Sequence, residues 1–471
     1  MAKKKELPLF EKITVTDAAA GGKGVARAGD LVIFIPGTVP GDVIDIQVTL
    51  RKRNYLEGTP VMFHEYSPDR TNPECMHFGV CGGCTWQNLQ YRKQLFYKGK
   101  IVRDSLERIG GIEISGIRPL LSSPQEYYYR NKLEYTFSSK KWLSGEEMKM
   151  QVLSQCSGAL GFHKPGFFDR VIDIYECRLQ AEPTNLIRNA VREYAKERTL
   201  SFYNIREHTG LLRNLVIRNT SDGEVMVIVV FGERDDDRIA ALLDFLRKEF
   251  PSITSLMYVI NMKKNDTILD QEVLLHSGKE YITETMNGIQ FRIGPKSFYQ
   301  TNTLQAVRLY DTVKQMAALT GRENVYDLYS GTGTIACYLA SGCARVTGLE
   351  YVREAVEDAK TNAAINGIDN ASFIAGDIKD LLEEGLFERN GMPDVIITDP
   401  PRSGMHKDVV KAILNATPHR IVYVSCNPAT QARDIALLSE KYFPEQIQPV
   451  DMFPQTFHVE NVVLLVRKSE S

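Results

Sequence analysis

The chain has 471 residues, a formal net charge of −2 and 43% hydrophobic residues. This length is too great for a single core and predicts about two to four domains, while the balanced charge excludes binding to nucleic acid through overall positive charge. No stretch reaches the roughly eighteen apolar residues of a membrane helix, and the start MAKKKELPLF lacks the apolar core of a signal peptide. We therefore expect a cytoplasmic protein without membrane association.

The first 68 residues predict a small β-barrel. Short apolar runs such as KITVTDA, LVIFIPG and DVIDIQVTLRKR are separated by glycine turns. Evenly spaced short strands are typical of closed all-β architectures. The segment SPDRTNPEC (67–75), rich in Pro, Asn, Asp and Ser, then predicts a linker.

Three cysteines follow on a glycine-rich loop, in the sequence CMHFGVCGGC. Cys75, Cys81 and Cys84 lie within ten residues. In a long cytosolic chain we expect thiols or metal ligands rather than disulfides. Close spacing lets three sulfurs converge on one ion or cluster, and the spacing alone is equally compatible with zinc and with iron–sulfur.

The middle of the chain predicts one helix followed by an α+β domain. Residues 91 to about 110 have helical spacing and end in two glycines. Residues 70–140 hold eleven Lys and Arg against six Asp and Glu, and YYYRNKLEYTF (127–137) alternates tyrosines with Arg130 and Lys132. This stretch is either a base-stacking, phosphate-contacting surface or an amphipathic strand with a solvated face, and the two interpretations weigh equally.

From about residue 286 the pattern changes to strands that alternate with helical segments. The strand candidates are NVYDLY, RVTGLE, ASFIAGD, DVIITDP and IVYVSC. Such alternation predicts a doubly wound parallel sheet.

A glycine turn follows the first of these strands, in VYDLYSGTGTIACYLA (325–340). Gly331 and Gly333 allow close approach of a ligand to the backbone, and Glu350, about twenty residues on, can accept both hydroxyls of a ribose. The pattern predicts an adenosine-bearing ligand. Because Gly331-x-Gly333-x-x-Ala336 also fits the dinucleotide fingerprint, a nicotinamide dehydrogenase is an alternative interpretation. Two features favour another class of enzyme: Asp327 lies within the strand, and the loop lies late in the chain.

Two further strand ends carry candidate functional residues. Asp399 follows the apolar run VIIT and is itself followed by two prolines, Pro400 and Pro401, so this loop is stiff and can be an ordinary turn or a fixed ligand-binding edge. Cys426 ends IVYVSC and is followed by Asn427-Pro428. A lone cysteine usually packs as a small hydrophobe, as we expect for Cys337 and Cys343, but ligands bind outside the carboxyl ends of such strands.

Taken in order, the motifs DLYSGTG, GLE, AKTNAAINGI, DPPRSG, VSCNPAT and DMFPQTFHVENVVLL resemble those of bacterial RNA (uracil-5-)-methyltransferases that depend on S-adenosylmethionine. The amino-terminal part resembles their TRAM domain, so the resemblance covers nearly the whole chain. It implies that Cys426 attacks carbon 6 of uracil, that carbon 5 then accepts the methyl group, and that Glu460 removes the carbon 5 proton. Without the resemblance, Glu460 reads as a solvated strand-end carboxylate.

The resemblance also implies the residues that bind S-adenosylmethionine. Asn362 and Asp377 lie in matching segments with less defined roles. Many relatives have Ala at the position of Pro401 and Phe-Cys in place of Tyr329-Ser330, differences that alter packing beneath the ligand. The implied cofactor residues are Gln300, Asp327, Gly331, Gly333, Glu350 and Asp399.

For the cysteine loop the resemblance implies a [4Fe-4S] cluster, because the ribosomal RNA branch of the family carries this triplet. Cys177 in DIYECRLQ matches the distal cysteine of the family, so the implied ligands are Cys75, Cys81, Cys84 and Cys177. Cys156 is a rival for the fourth position. The radical-enzyme spacing Cys-x3-Cys-x2-Cys is absent, so no radical chemistry is assigned.

The combined prediction is an α/β protein with a TRAM β-barrel (1–68), an iron–sulfur-bearing α+β central domain (69–285) and a Rossmann-like methyltransferase domain (286–471). Segment 91–120 is expected to pack on the last of these. The predicted substrate is 23S rRNA and the predicted state a monomer. Alternatives are a transfer RNA uracil-5-methyltransferase, a methyltransferase that acts on an exocyclic amine without a thiol, and an RNA-binding assembly factor with an idle catalytic site.

Overall fold

The computed structural model describes residues 7–114, 116–143, 158–383 and 385–469. The chain forms two compact units. The first unit comprises Met1–Glu126, Pro401–Gly404 and Val424–Val463, and the second comprises Tyr127–Pro400, Met405–Tyr423 and Leu464–Ser471. None of the helices in the described part of the chain has the length and apolar character that crossing a membrane requires.

The amino-terminal strands form one six-stranded sheet in the order β1-β5-β6-β4-β3-β2. Alternate residues of these strands point inward, and Ile44, Ile46 and Val48 of β5 belong to a single buried cluster. Strand β1 also lies against β3, so the sheet curls on itself. The strands are β1 (Leu9–Thr14), β2 (Asp17–Ala18), β3 (Gly24–Ala28), β4 (Leu31–Ile35), β5 (Val43–Arg51) and β6 (Tyr55–Glu65).

Helix α1 (Tyr91–Arg108) follows the cysteine-containing loop and ends just before Gly110 and Gly111, as the sequence predicts. Its buried face includes two polar side chains, Gln94 and Lys98. Polar groups at core positions of a helix need partners, because burying them without hydrogen bonds costs free energy.

The central region forms a seven-stranded mixed sheet in the order β13-β12-β11-β10-β7-β8-β9. Strand β11, VMVIVVF, is buried along its whole length and pairs in parallel with β12 across helix α3. The elements are β7 (Lys132–Ser138), β8 (Ala159–His163), β9 (Val171–Asp173), α2 (Thr184–Glu197), β10 (Leu212–Asn219), β11 (Val225–Phe231), α3 (Asp236–Glu249), β12 (Ile253–Ile260) and β13 (Leu274–Gly278).

A hairpin and a helix lead into the carboxyl-terminal sheet. The hairpin consists of β14 (Ile282–Met286) and β15 (Ile289–Ile293), and helix α4 spans Thr303–Ala317. Asn287 and Gly288 both have positive φ, of 47° and 80°, which is the backbone that a two-residue Asn-Gly hairpin turn requires.

The carboxyl-terminal elements alternate strands with helices, as the sequence predicts. The helix α5 is extended by a 3₁₀ turn over Ala340–Gly342. The elements are β16 (Asn324–Leu328), α5 (Thr334–Leu339), β17 (Arg345–Glu350), α6 (Arg353–Ile365), β18 (Ala371–Ala375), α7 (Ile378–Glu383), α8 (Leu386–Asn390), β19 (Val395–Thr398), α9 (Lys407–Ala416), β20 (Arg420–Ser425), α10 (Pro428–Leu438), β21 (Tyr442–Val450) and β22 (Glu460–Arg467).

Their sheet has the order β18-β17-β16-β19-β20-β22-β21. The pairs β17–β18, β16–β17, β16–β19 and β19–β20 are parallel, which confirms the predicted parallel sheet. Arg467, the last residue of β22, donates its backbone N–H to the carbonyl of His419, just before β20 begins. Strand β22 therefore runs antiparallel to its neighbour β20.

Within the first unit, α1 packs against α10. The segment after α1 continues along β21, where Ile117 and Leu121 form parallel bridges to Ile447 and Val450. Residues 91–121 are therefore anchored on elements that lie more than 300 positions later in the chain.

Candidate active site

The turn between β16 and α5 has the backbone of a ligand-binding glycine loop. Tyr329, Gly331 and Gly333 all have positive φ, of 67°, 54° and 76°. A Cβ on Gly333 would lie 2.8 Å from the Cβ of Ala359 and 2.9 Å from the ring of Phe373, so only glycine fits there. A Cβ on Gly331 would meet no atom within 4 Å, so the loop backbone borders open space that a ligand can enter.

Glu350 holds this loop in place from the end of β17. Its carboxylate accepts hydrogen bonds from the backbone N–H of Gly331, at 3.0 Å, and from that of Val352, at 2.9 Å. The side chain is only partly buried. A carboxylate so placed beside the glycine loop is suited to accept hydroxyl groups of a ribose.

Asp327 and Asp399 are a pair of desolvated carboxylates on neighbouring strands. Oδ2 of Asp327 accepts the N–H of Ala336 at 3.1 Å, whereas Oδ1 has no hydrogen-bond partner among the described residues. Burial raises the pKa of Asp399 to about 7. Burial and the nearby charge of Asp399 raise the pKa of Asp327 well above its ordinary value. Two carboxyl groups of this kind are stabilised by a ligand that brings positive charge or hydrogen-bond donors.

Three other sequence-predicted residues have local structural contacts. The carbonyl of Gln300, just before α4, accepts a hydrogen bond from Nδ2 of Asn131 at 2.8 Å. Asn362 is fully buried on α6 and joins β15 to the glycine loop, since it accepts the N–H of Arg292 and donates to the carbonyl of Thr332. Asp377 accepts the N–H of Lys379 at the start of α7.

Cys426 lies between the end of β20 and the start of α10, as the sequence predicts. The helix is capped by Asn427, whose side chain accepts the N–H of Ala429 at 3.2 Å, and Pro428 occupies its first position. The Cys426 side chain is partly exposed, in contrast to Cys337 and Cys343, which are buried as predicted. The positive end of the α10 dipole favours negative charge at this position.

The loop that follows Asp399 and Pro400 is fixed by the first turns of α10. The carbonyl of Arg402 accepts hydrogen bonds from Nδ2 of Asn427 at 3.0 Å and from Oγ1 of Thr430 at 3.2 Å. Arg433 donates to the carbonyl of Ser403 at 2.9 Å. Residues 402 and 403 are thus held by the same helix whose amino terminus follows Cys426.

Glu460 is the first residue of β22 and only 5% exposed. Because β22 runs antiparallel to β20, its beginning lies beside the end of β20. Gln431 of α10 and the neighbouring Asn461 exchange two hydrogen bonds, at 3.1 and 2.7 Å. The structure therefore brings Cys426 and Glu460 to the same edge of the sheet in the first unit, and Glu460 is not a solvated strand-end carboxylate.

The cysteine loop lacks regular secondary structure. Its three thiols are partly exposed, and Gly79 and Gly82 between them have φ values of 80° and 77°. Cys177 belongs to the second unit and is buried, and its backbone N–H and carbonyl exchange hydrogen bonds with the side chain of Asn185. Cys156 lies outside the described residues. Within the described ranges no group of three or more Cys, His, Asp and Glu side chains is arranged to hold a metal ion.

The tyrosine-rich stretch 127–137 is only partly a surface. Tyr129 and Tyr135 are 6% and 0% exposed, whereas Tyr128 is 45% exposed. Burial, followed by the charge of Arg218, lowers the pKa of Lys132. This stretch therefore contributes core as well as surface, and the interpretation as a continuous stacking surface is wrong for its buried half.

A buried ion pair between Lys98 and Asp451 was not predicted from the sequence. Nζ of Lys98 and Oδ1 of Asp451 form an ion pair of 2.6 Å, and both side chains are fully buried. The signal available in the sequence was the spacing of Gln94, Lys98 and Val102 on one helix face, which puts two polar residues at core positions. Their partners, more than 350 residues away, could not be read from it.

Comparisons with known proteins agree with this architecture. A family profile described as tRNA (Uracil-5-)-methyltransferase matches residues 214–468, and a TRAM domain profile matches residues 11–61. A protein of Bacteroides thetaiotaomicron described as an uncharacterized RNA methyltransferase is 55% identical over 95% of this chain and 99% of its own length. A similarly described protein of Chlorobaculum tepidum is 40% identical over 97% of this chain and 96% of its own length.

A solved structure also matches nearly the whole chain. The Pyrococcus abyssi tRNA (uracil-54, C5)-methyltransferase in complex with S-adenosyl-L-homocysteine superposes with a TM-score of 0.73 and 29% sequence identity, and the match covers 96% of this chain and 100% of that one. The chain therefore belongs to the tRNA (uracil-5-)-methyltransferase family and carries an amino-terminal TRAM domain. It is an S-adenosylmethionine-dependent enzyme that methylates carbon 5 of uracil in RNA.

The residues at the glycine loop fit S-adenosylmethionine. The loop borders open space at Gly331, Glu350 stands beside it, and the buried Oδ1 of Asp327 lacks a partner among the residues described. A nucleoside that carries a sulfonium and an ammonium group supplies both hydroxyl donors and positive charge. The carboxylates at the glycine loop therefore suit S-adenosylmethionine, the methyl donor of the family.

Binding of S-adenosylmethionine should become tighter as the pH rises from about 6 to about 8. With a pKa of about 7, the Asp399 carboxyl is mostly neutral below that pH in the empty protein and anionic above it. A cationic ligand favours the anion, so affinity should increase by up to about tenfold per pH unit below the pKa. Isothermal titration calorimetry of the wild type and of Asp399→Asn measures this.

Asp399→Asn should bind more weakly and with a much flatter pH dependence, because an amide does not titrate. Asp237→Asn, an exposed change in the first turn of α3, is the matched control and should retain the wild-type slope. A wild-type slope in Asp399→Asn would show that another group titrates on binding.

Proposed function

We propose that this enzyme methylates carbon 5 of a specific uridine in 23S rRNA, with Cys426 as nucleophile and Glu460 as base. The observation that carries the assignment of roles is the location of both residues at one sheet edge. Cys426 follows β20, and Glu460 begins the antiparallel neighbour β22. A partly exposed thiol and a buried carboxylate at adjacent strand ends favour an active enzyme over an RNA-binding factor with an idle catalytic site.

Cys426 performs the first step. Carbon 5 of uracil is a weak nucleophile, and addition of the thiolate sulfur to carbon 6 moves electron density onto carbon 5. The sulfur–carbon 6 bond forms while the carbon 5–carbon 6 double bond opens into an enolate. When bound, S-adenosylmethionine supplies the methyl group that carbon 5 accepts.

Glu460 completes the reaction. After methylation, carbon 5 carries both the methyl group and its original hydrogen. The Glu460 carboxylate takes that hydrogen as a proton, the electron pair restores the double bond, and the bond to sulfur breaks so that Cys426 leaves as a thiolate. At 5% exposure, the Glu460 carboxylate is largely shielded from bulk water.

Different residues of the site are assigned to different groups of S-adenosylmethionine. We assign Glu350 to the ribose hydroxyls, the backbone at Gly331 and Gly333 to close approach of the ligand, and the Asp327 and Asp399 carboxyls to its donor and cationic groups. Gln300 is assigned by resemblance alone. The support in each case is local: the hydrogen bond from Gly331 to Glu350, the unpartnered Oδ1 of Asp327, and the desolvated state of Asp399.

The choice of 23S rRNA rests on the cysteine triplet, which the resemblance associates with enzymes that act on ribosomal RNA. Transfer RNA is the second candidate. The matching family profile is described by a tRNA activity, and the Pyrococcus abyssi enzyme is named for uracil-54 of tRNA.

Mapping of 5-methyluridine in both RNA classes separates the two targets. RNA from cells with and without this protein is digested and sequenced by mass spectrometry. We expect loss of 5-methyluridine at one or a few positions of 23S rRNA and its return on complementation with the wild-type chain but not with Cys426→Ala. Loss confined to transfer RNA would instead establish the second candidate.

The two proposed catalytic residues should stop the reaction at different steps. Cys426→Ala should form neither covalent complex nor methylated RNA, because carbon 5 is never activated. Glu460→Gln should methylate the RNA but release it slowly, with turnover reduced about 10²–10⁴-fold, because an amide is a negligible base. On a denaturing gel with methyl-labelled S-adenosylmethionine, label should migrate with protein-bound RNA for Glu460→Gln only.

Glu445→Gln, an exposed change on the neighbouring β21, is the matched control and should behave as the wild type. If Glu460→Gln turns over at the wild-type rate, the base is another group, and His458 is the nearest candidate.

We also propose that the cysteine loop binds a [4Fe-4S] cluster through Cys75, Cys81, Cys84 and Cys177. The chemistry of the donors fits, because four thiols are the usual ligands of such a cluster. The geometry lends no support, since the described residues contain no grouped metal ligands. We therefore assign the cluster no step in the reaction, and zinc is the alternative occupant.

Metal analysis decides the identity of the occupant. Anaerobically purified protein should be brown and contain about four irons per chain. Cys84→Ser and Cys177→Ser should lose the iron, whereas Cys156→Ser and the buried Cys343→Ser should keep it. Stoichiometric zinc without iron would contradict the cluster, and loss of iron in Cys156→Ser but not in Cys177→Ser would move the fourth ligand.

A further inference from the structure

The loop that connects β21 to Glu460, residues 451–459, is held at every second position by groups from α1 and from the segment just after the cysteine loop. At its start, Oδ1 of Asp451 pairs with Lys98, and Oδ2 accepts the hydroxyl of Tyr91 at 2.9 Å. Lys98 also donates to the carbonyl of Phe453 at 2.9 Å. Burial lowers the pKa of Lys98, while the charge of Asp451 opposes that shift.

Gln455 forms hydrogen bonds through its backbone carbonyl, its backbone N–H and its side chain. Its backbone carbonyl accepts the N–H groups of Thr85 and Trp86, at 2.9 and 3.0 Å. Its backbone N–H donates to Oε1 of Gln94 at 2.9 Å, and its side-chain oxygen accepts from Nε2 of Gln94 at 3.0 Å. Its side-chain nitrogen donates to Glu126 at 3.2 Å.

This residue also has a backbone conformation that its surroundings must enforce. Gln455 has a φ of 66°, in the left-handed region that disfavours residues with a side chain. Such a conformation is unfavourable for a residue with a side chain and persists only where surrounding contacts fix it. Here the five hydrogen bonds to Gln455 supply that constraint.

The last part of the loop is anchored by packing. Phe457 packs against the buried cluster that contains Trp86, Leu89 and Tyr97. The N–H of His458 donates to Oγ1 of Thr456, whose hydroxyl donates to the carbonyl of Phe453. From this point the chain reaches Glu460 in two residues, so the loop has little freedom to move the carboxylate.

We infer that Gln455, together with Gln94, is a positioning residue that sets the location of the Glu460 carboxylate during proton removal. This inference rests on the proposed role of Glu460 as the base. Because Thr85 directly follows Cys84, the same hydrogen bonds join the cysteine loop to the loop that carries the base. Displacement of a catalytic group by about 1 Å can cost as much as 10²-fold in rate.

Gln455→Gly tests the inference directly. Glycine tolerates the positive φ, so this variant keeps the backbone path and removes the side-chain bonds to Gln94 and Glu126. Turnover should fall on the order of 10-fold to 100-fold, and methylated RNA should accumulate in covalent complex with the protein, as it does in Glu460→Gln. The affinity for S-adenosylmethionine should not change. Gln94→Ala should give the same pattern.

Gln448→Ala is the matched control. Gln448 is also a buried glutamine of the first unit, and its amide donates to the carbonyls of Pro119 and Pro449 rather than to the base-carrying loop. It should lose some thermal stability without accumulating the complex. If Gln455→Gly turns over as the wild type does, or loses activity without accumulating the complex that Glu460→Gln accumulates, Gln455 does not position the base.

Hydrogen exchange separates this inference from the assignment of the base. Amides of residues 456–462 should exchange faster in Gln455→Gly than in the wild type and Gln448→Ala, as measured by mass spectrometry on the full chain. Unchanged exchange would overturn the positioning role whatever the identity of the base. Faster exchange combined with normal turnover of Glu460→Gln would instead overturn the assignment of Glu460.

Discussion

Chain direction within the carboxyl-terminal sheet is the constraint on which the candidate active site depends. The parallel strands β16, β17 and β19 present Asp327, Glu350 and Asp399 at or next to their carboxyl ends. Strand β20 likewise ends directly before Cys426. Only a strand that runs the other way can begin where β20 ends, and β22 does so with Glu460. The antiparallel direction of β22 thus puts a carboxylate beside the Cys426 thiol. A parallel strand in the same place would begin at the opposite edge of the sheet.

Buried carboxylates occur in both units, but their charges are compensated in different ways. In the second unit, Asp327 and Asp399 are desolvated and have raised pKa values, which is costly unless a ligand supplies donors or positive charge. In the first unit, the buried Asp451 is satisfied within the chain, by Lys98, Tyr91 and the N–H of Phe453. We propose that the first pair binds a ligand, whereas Asp451 stabilises the loop that precedes Glu460 through contacts within the chain.

The sequence predicts those features that are local. Strand ends and the glycine loop depend on neighbouring residues, and the structure confirms their positions. The final strand beginning at Glu460 is also confirmed, but its antiparallel direction and the burial of Glu460 depend on pairing with β20. The contacts of Lys98 and Gln455 could not be predicted, because their partners are separated by hundreds of residues and leave no periodic pattern. The interpretation of residues 127–137 as a stacking surface is wrong in part for the same reason, since burial of Tyr135 depends on elements elsewhere in the chain.

The defining event of the reaction is methyl transfer to carbon 5 of uracil, with removal of the hydrogen from that carbon. RNA containing uridine tritiated at carbon 5 measures it directly when it is incubated with the purified protein and methyl-labelled S-adenosylmethionine. One tritium should be released to water for each methyl group incorporated, and neither event should occur with Cys426→Ala. Incorporation of methyl groups without release of tritium would contradict methylation at carbon 5, because the methyl group would then be on another atom of the RNA.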